Sequence, residues 1–455
     1  MTSSKTVRDM TEGSPLRLIL FFALPVLLSS LFQQIYTVAD TAIVSKTLGD
    51  GALAAVGSIG SVNFLILGFC NGMGMGFAIP IAQCFGAKDM RALRKYAGNA
   101  VWVYAVISVV FTVGSALLCQ TILEVTKTPE DIMDMAYQYL IVIFLGIPAQ
   151  FAYNTLAGVI RSLGDSKTPL YILIFSSAIN IILDLVFILC FSLGTMGAAL
   201  ATVLSQVFSV IGCLLLIAKR IPELHLTRED LKPEKAYITG LLKDGLPMGL
   251  QMSVTGIGSI LLQTSVNMLG SVAIAAVVAA ERICNTLSII ITSLGSAMSV
   301  FCGQNLGAKK YDRIKKGVKT GVLLGFGFSV LAFLVLFFFG RTLELIFLDA
   351  SSTELMNMTY QYLVIVASFL WAQSLIFTVR FSIQGLGKAN VALAACLLEM
   401  LARSAFGLYF VPKFGFLAAG FSSPAAWIMA DALLVPAFFV IMKNLNREKK
   451  DLKTA

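Results

Sequence analysis

An amide and a carboxylate interrupt the largely apolar stretch SSAINIILDLVF, residues 176–187. Asn180 and Asp184 are four residues apart, so a helix places the amide and the carboxylate on one face. Two other apolar stretches carry Asp40 and Thr202. Carboxylate, amide and hydroxyl oxygens are hard ligands that suit Na⁺, while two neighbouring carboxyl groups can instead share one proton. If the fold brings these four residues together, the sequence predicts a cation-binding site.

The composition indicates which elements carry these residues. Of the 455 residues, 57% are hydrophobic and 13% are charged, and the mean hydropathy is +0.85. Soluble domains are about 25% charged. Apolar windows of about 20 residues recur along the chain, and each is long enough for a helix to cross a bilayer core. They lack the alternation of a transmembrane strand. The sequence therefore predicts an all-α integral membrane protein.

Hydropathy predicts twelve transmembrane helices. Their approximate ranges are 16–46, 54–84, 97–122, 134–158, 169–191, 196–218, 240–268, 274–302, 318–345, 355–381, 389–411 and 418–442. Most of the 34 Lys and Arg residues fall in the two tails and the even-numbered loops. Positive residues favour the cytoplasmic side. We therefore expect a multi-pass plasma-membrane protein with both termini in the cytoplasm.

The same charge asymmetry accounts for the formal net charge of +9. We therefore do not expect a nucleic-acid partner. The basic C-terminal tail KNLNREKKDLKTA is typical of a segment that contacts membrane lipids. We expect the protein to act as a monomer.

Three of the four candidate ligands are predicted at one depth. At about 1.5 Å of rise per residue, Asp40, Asp184 and Thr202 each lie roughly 10 Å below the outer end of their span. Asn180 lies one turn deeper, on the Asp184 face. A buried polar network that only holds helices together is the alternative interpretation. The equal depth of residues from three spans favours cation binding.

The two halves of the chain repeat each other. YQYLIVI at 137–143 returns as YQYLVIV at 360–366, and QCFGAKDMRALRK at 83–95 returns as QNLGAKKYDRIKK at 304–316. The repeats predict an N-terminal six-helix bundle at 1–218, a cytoplasmic linker at 219–239, and a C-terminal bundle with a basic tail at 240–455. Halves with equal orientation are typical of transporters that alternate access between two sides.

Several motifs together resemble one transporter family. They are LPVLLSSLFQQIYTVADTAIVSKTLG in the first span, the paired QCFGAKD and QNLGAKK loops, GVIRSLGDSKTP, and NIILDLVF in the fifth span. Over essentially its whole length the sequence is similar to the MATE (multidrug and toxic compound extrusion) family, of the prokaryotic NorM/DinF-like kind. The resemblance implies export of small-molecule drugs or toxic metabolites in exchange for H⁺ or Na⁺, with no cofactor.

The resemblance also implies roles for particular residues. The family's N-terminal cation site corresponds to Asp40, Asn180, Asp184 and Thr202. The family's fourth-span Asn corresponds to Asn154, which reaches this cluster only if its span bends at Pro148. Residues expected to contact substrate or to support the site are Tyr36, Gln34, Asn154 and Gln206.

The C-terminal half carries different charges. The repeat places Arg403 opposite Asn180, so the cation site is not duplicated. The acids that NorM-like members carry on the seventh and tenth spans have no counterpart in the middle of those spans here. Glu399 and Arg403 are spaced i,i+4, which predicts an ion pair. With Asp431, they are expected to form a structural or gating ion pair.

Other functional classes find little support in the sequence. The eight cysteines form no C-x-x-C pair, so we expect neither a metal centre nor disulfides. Neither GAK loop has a nucleotide-binding pattern, which favours an ion gradient as the energy source. No catalytic constellation is visible, so we do not expect an enzyme. A flippase for lipid-linked oligosaccharides or other amphiphiles is the alternative function, but it would favour a cationic interior.

Overall fold

The structure, a computed structural model, describes residues 7–345, 348 and 352–454. The α-helices of the N-terminal half are α1 Pro15–Leu48, α2 Asp50–Ser58, α3 Gly60–Gly86, α4 Met90–Val125, α5 Glu130–Leu145, α6 Ile147–Ser162, α7 Lys167–Leu185 and α8 Gly194–Arg220. Those of the C-terminal half are α9 Lys235–Asn267, α10 Ser271–Gly307, α11 Tyr311–Glu344, α12 Thr353–Ser368, α13 Leu370–Gly385, α14 Ala389–Ala405, α15 Val411–Phe414 and α16 Phe416–Thr454.

The predicted all-α membrane fold is confirmed. In the described parts of the chain, ten helices are long and apolar enough to cross a membrane. Two further pairs of shorter helices, α5 with α6 and α12 with α13, are bent by 47° and 46° at a short break. The count reaches the predicted twelve if each bent pair is one span.

The bend between α5 and α6 has a local cause. Gly146 separates the two helices, and Pro148 lies in the first turn of α6. Proline has no N–H to donate to the preceding turn, so it begins a new helix more readily than it continues an old one. The Tyr104 hydroxyl donates a 2.7 Å hydrogen bond to the Pro148 carbonyl. The fourth span therefore bends next to Pro148.

The chain forms two compact units. Unit 1 contains Met1–Asp9 and Leu24–Ser253, and unit 2 contains Met10–Ala23 and Val254–Ala455. Helix α1 is divided just before Pro25, which lies inside the helix. Helix α9 is divided in the same manner, a few residues after Pro247. The predicted linker at 219–239 belongs to unit 1.

Small residues allow close helix packing in unit 1. Helix α3 packs along α6. On another side, Gly72 and Gly76 of α3 meet the backbone of α9 at Met248 and Gly245. A Cβ at Gly72 would overlap the Met248 carbonyl oxygen. This approach is the small-residue packing that membrane helices use in place of a hydrophobic driving force.

The segment after α8 is fastened to α4. Buried Asn99 accepts a 2.8 Å hydrogen bond from the Glu234 N–H and donates a 3.3 Å bond to the Lys232 carbonyl. In the same segment, Asp230 accepts bonds from the N–H and the hydroxyl of Thr227. Burial alone would raise the pKa of Asp230, but these bonds outweigh it and hold the pKa below its usual value.

The repeat is visible in the backbone. Lys88 and Lys309, in the two GAK loops, adopt positive φ angles of 59° and 55°. Helix α7 continues into a π-helical turn at Val186–Cys190, and α14 continues into one at Phe406–Phe410. Such turns are rare and occur often at functional sites. Both follow directly on the helices that carry the predicted charged residues.

Candidate functional site

Unit 1 brings the four predicted ligands to one place. Asp40 comes from α1, Asn180 and Asp184 from α7, and Thr202 from α8. Asn180 and Asp184 are 0% exposed, and Asp40 and Thr202 are partly buried. The carboxyl groups of Asp40 and Asp184 lie within reach of each other and interact directly. The depth predicted for Asp40 and Asp184 thus agrees with their contact in the fold, and cation binding by the four residues stays a prediction.

The polar atoms of this cluster lack protein partners. No well-formed hydrogen bond from the described residues reaches the side-chain oxygen or nitrogen of Asn180, either oxygen of Asp184, or the Thr202 hydroxyl. One carboxyl oxygen of Asp40 is also buried without a hydrogen-bond partner among the described residues. A network that only joined helices would satisfy such atoms, because each unpaired buried polar group costs about 1–3 kcal/mol. The cluster therefore has the character of a binding site.

Two tyrosines border the cluster. The Tyr36 hydroxyl approaches Thr202, and Tyr36 is also within electrostatic reach of both carboxyl groups. Tyr139 of α5, 7% exposed, faces Asp40, Asp184 and Tyr36. Tyr139 was not among the predicted site residues. The signal that could have identified it is the repeated YQYL motif, whose second copy places Tyr362 beside charged residues of unit 2.

The π-helical turn follows Asp184 directly. Helix α7 keeps regular α geometry through Leu185, so Asn180 and Asp184 remain on one face. The turn at Val186–Cys190 then widens the helix before the chain reverses into α8. Helix α8 is the main packing partner of α7 in unit 1.

The residues that the sequence analysis named as support for the cation site differ in their surroundings. The Asn154 amide donates to the Gln150 carbonyl of its own helix at 2.9 Å, and no described contact joins it to the four ligands. Gln34 is exposed. Gln206 lies one turn after Thr202, and its side-chain oxygen is buried without a hydrogen-bond partner among the described residues. Gln206 thus shares with the four ligands a buried polar atom without a partner, which Asn154 and Gln34 do not show.

The predicted ion pair between Glu399 and Arg403 is wrong. Glu399 of α14 pairs instead with Arg380 of α13, which is 4% exposed. Arg403 lies on the same helix as Glu399 but interacts with Glu281 of α10 and Tyr362 of α12. Packing between helices decides the pairing, because an i,i+4 pair on one helix is worth only about 0.2–0.5 kcal/mol.

Asp431 of α16 also lies in unit 2, close to the same charges. It is 8% exposed and within electrostatic reach of Arg380. Neither of its carboxyl oxygens has a hydrogen-bond partner among the described residues. The sequence singled out Asp431 correctly as a buried acid, but it gave no reason to name Arg380.

The electrostatics of the unit 1 cluster limit its chemistry. Two adjacent carboxyl groups in a buried site cannot both remain bare anions, so they hold a proton or another cation between them. The oxygens of Asn180 and Thr202 add neutral ligands of the kind that a hard cation requires. The cluster therefore has the chemistry that a site for one monovalent cation requires.

Comparisons with known proteins agree with the fold. The family model MatE matches residues 25–186 and again residues 247–408, one match in each half of the repeat. A probable multidrug resistance protein of Bacillus subtilis, YoeA, is 31% identical over 73% of this chain and 73% of its own length. A second, YpnP of the same organism, is 30% identical over 67% of this chain and 68% of its own length.

A solved structure shows the same architecture. It is a multidrug resistance MATE family transporter of the MOP superfamily in an outward-facing conformation. The TM-score is 0.90 at 22% identity, and the match covers 98% of this chain and 99% of that one. At this identity the comparison establishes the fold alone.

Proposed function

This chain belongs to the MatE family of membrane transporters, and from that premise we propose that it exports amphipathic, often cationic compounds in exchange for H⁺ or Na⁺. The family is one of transporters, which need no cofactor, and not of enzymes. The relatives named above as multidrug resistance proteins support drugs or toxic metabolites as the exported compounds. We further propose that the protein works as a monomer in the plasma membrane.

One observation carries the coupling mechanism. Asp40 and Asp184 lie side by side in unit 1, and the polar atoms around them have no partner in the described protein. The bound cation neutralises the carboxyl pair, and its departure leaves two like charges that repel each other. A site whose stability depends on its ion can bias a two-state equilibrium, because a ligand shifts a conformational balance by its difference in affinity for the two states.

Each residue has a distinct role in this proposal. Asp40 and Asp184 carry the charge that holds the cation, and they come from different helices of unit 1. Asn180 and Thr202 supply oxygens to Na⁺, or hydrogen-bonding support to a shared proton. Tyr139 closes the cluster on the α5 side and limits the water that reaches the carboxyl groups.

The first prediction tests this site. In Asp184→Asn the size and the hydrogen-bonding capacity remain but the charge is lost, so we expect gradient-driven efflux of ethidium to fall at least about tenfold, the effect of roughly 1.4 kcal/mol. Asp40→Asn should behave in the same manner. The measurement is efflux from proteoliposomes in which a pH gradient and a Na⁺ gradient are imposed separately.

The controls separate the coupling ion from a folding defect. A Na⁺ site stabilises the wild-type protein thermally as Na⁺ is added, since the ion binds only the folded state, and this effect disappears in Asp184→Asn. A proton site shows no response to Na⁺ but responds to pH. Normal efflux by well-folded Asp40→Asn and Asp184→Asn proteins under both gradients would refute the proposed site.

Export of a lipid-linked oligosaccharide is the other candidate function. Its pyrophosphate is anionic and would require a cationic cleft. The polar interior of unit 1 is acidic at Asp40 and Asp184, which disfavours an anionic substrate at this site. Drug export therefore agrees better with the charge of the cluster.

A further inference from the structure

Unit 2 contains a set of five interacting charged side chains. The positive members are Arg380 and Arg403, and the acidic members are Glu281, Glu399 and Asp431. They come from α10, α13, α14 and α16. Two guanidinium groups, which stay positive, therefore face three carboxyl groups. One carboxyl group has no cation of its own.

The two guanidinium groups act on different acids. Arg380 forms an ion pair with Glu399, and both side chains are at least nine-tenths buried. Arg403 acts on Glu281, which also lies within hydrogen-bonding reach of Tyr362. Arg380 and Glu399 form the direct ion pair of this set, and Arg403 acts on Glu281 from beyond ion-pair distance, as Arg380 does on Asp431. Glu281, however, is partly exposed and has the Tyr362 hydroxyl within hydrogen-bonding reach. Asp431 has neither solvent exposure of that degree nor such a donor.

Asp431 has the surroundings of a neutral acid. Its side chain is 92% buried, both of its oxygens lack a hydrogen-bond donor among the described residues, and Arg380 acts on it only from beyond ion-pair distance. The other titratable or charged groups of this set come from α14 and α10, and they are Glu399, Cys396, Arg403 and Glu281. A buried carboxylate without a donor or a paired cation takes up a proton instead of remaining charged.

Asp431 does not have the surroundings that Na⁺ or another metal ion needs. Hard cations need several oxygen ligands, and the charged group that acts on Asp431 is the guanidinium of Arg380. A proton requires only the carboxyl group itself. We propose that Asp431 is a proton-binding residue of unit 2, which holds one exchangeable proton separately from the cation site of unit 1. The charge count and the missing partners carry this proposal, and it does not depend on the identity of the coupling ion in unit 1.

Infrared spectroscopy on the purified full-length protein tests the proposal. The starting protein is the Asp40→Asn/Asp184→Asn variant, which removes the two carboxyl groups of the unit 1 cluster. We expect the carbonyl stretch of a protonated carboxyl group at neutral pH, and we expect Asp431→Asn to remove a large part of that band. An unchanged band after Asp431→Asn would overturn the proposal.

The control substitution is Asp230→Asn. Asp230 is also a buried aspartate, but its bonds from Thr227 keep it ionised. Its loss should leave the protonated-carboxyl band unchanged. If Asp431→Asn cannot be purified, Asp431→Leu serves in its place, since a neutral apolar side chain also replaces the neutral acid. Failure of both variants to fold contradicts the proposal, because each preserves the neutral state that it requires.

A second variant tests the balance of two cations and three acids in this set. In Glu399→Gln, Arg380 loses its partner and becomes available to Asp431. We therefore expect Asp431 to ionise and the band to weaken, as in Asp431→Asn. A band of full strength in Glu399→Gln would contradict the balance of two cations and three acids on which the proposal rests.

Discussion

Arg380 has two acids within electrostatic reach and pairs with only one of them. Glu399 holds the guanidinium directly, and Asp431 acts on it from farther away. This asymmetry has a consequence for substitutions. Asp431 can replace Glu399 as the partner of Arg380, but no uncommitted cation among these five residues can replace Arg380 as the partner of Glu399.

We therefore predict different costs for the two ends of the pair. Arg380→Gln should destabilise the protein by about 3–5 kcal/mol, the usual loss when a buried ion pair is left with one charge. Glu399→Gln should cost clearly less, and the double variant should recover much of the Arg380→Gln loss. The measurement is thermal unfolding of purified protein. If the double variant loses the sum of the two single losses, the two residues are not energetically coupled.

The sequence predicts the unit 1 residues better than those of unit 2. Asn180 and Asp184 share a helix face by spacing, and the depth of Asp40 and Thr202 follows from helical rise. The partner of Glu399 depends on how α13 packs against α14, which no local spacing reveals. Arg380 has no acid three or four residues away in either direction, so nothing in its own helix identifies it.

Some features of the helices were also predictable from the sequence, and others were not. Hydropathy predicts the spans, because bilayer thickness fixes their length. Pro148 marks a place where the fourth span can bend, and the bend between α5 and α6 lies next to it. The bend between α12 and α13, however, falls at Phe369 without a proline. The π-helical turns at Val186–Cys190 and Phe406–Phe410 were likewise not predicted from the sequence.

Close helix approach in unit 1 gives a prediction at the scale of elements. A Cβ at Gly72 would overlap the Met248 carbonyl of α9, whereas one at Gly114 of α4 would meet nothing within 4 Å. Gly72→Ala should therefore destabilise the protein by about 1–3 kcal/mol. The matched control Gly114→Ala should be neutral or stabilise it by up to about 1 kcal/mol. Thermal unfolding of the two variants compares them, and equal stability would show that α3 and α9 are not in close contact.

The orientation of the whole molecule in the membrane gives a further prediction. Charge asymmetry predicts that both termini are cytoplasmic, so Asp50 lies outside the cell and Ala87 inside. Both residues are exposed in unit 1. In intact cells, a membrane-impermeant maleimide should label Asp50→Cys, and it should label Ala87→Cys only after permeabilisation.

This labelling experiment needs a suitable background. Cys190 is exposed in the structure and is predicted at the outer end of its span, so it is replaced by Ser before the new cysteines are introduced. The other described cysteines are buried or partly buried. Labelling of Ala87→Cys, but not of Asp50→Cys, in intact cells would reverse the predicted orientation.

The energy source is also a property of the whole molecule. The sequence carries no nucleotide-binding loop, and the polar cluster of unit 1 has the chemistry of a cation site. We therefore expect ethidium efflux from proteoliposomes to require an imposed ion gradient and to stop when an ionophore collapses it. Addition of ATP without a gradient should produce no transport. The Asp40→Asn/Asp184→Asn variant is the control, because it should remain folded and stay inactive under either gradient. ATP-driven efflux by the purified wild-type protein in the absence of any gradient would contradict this prediction.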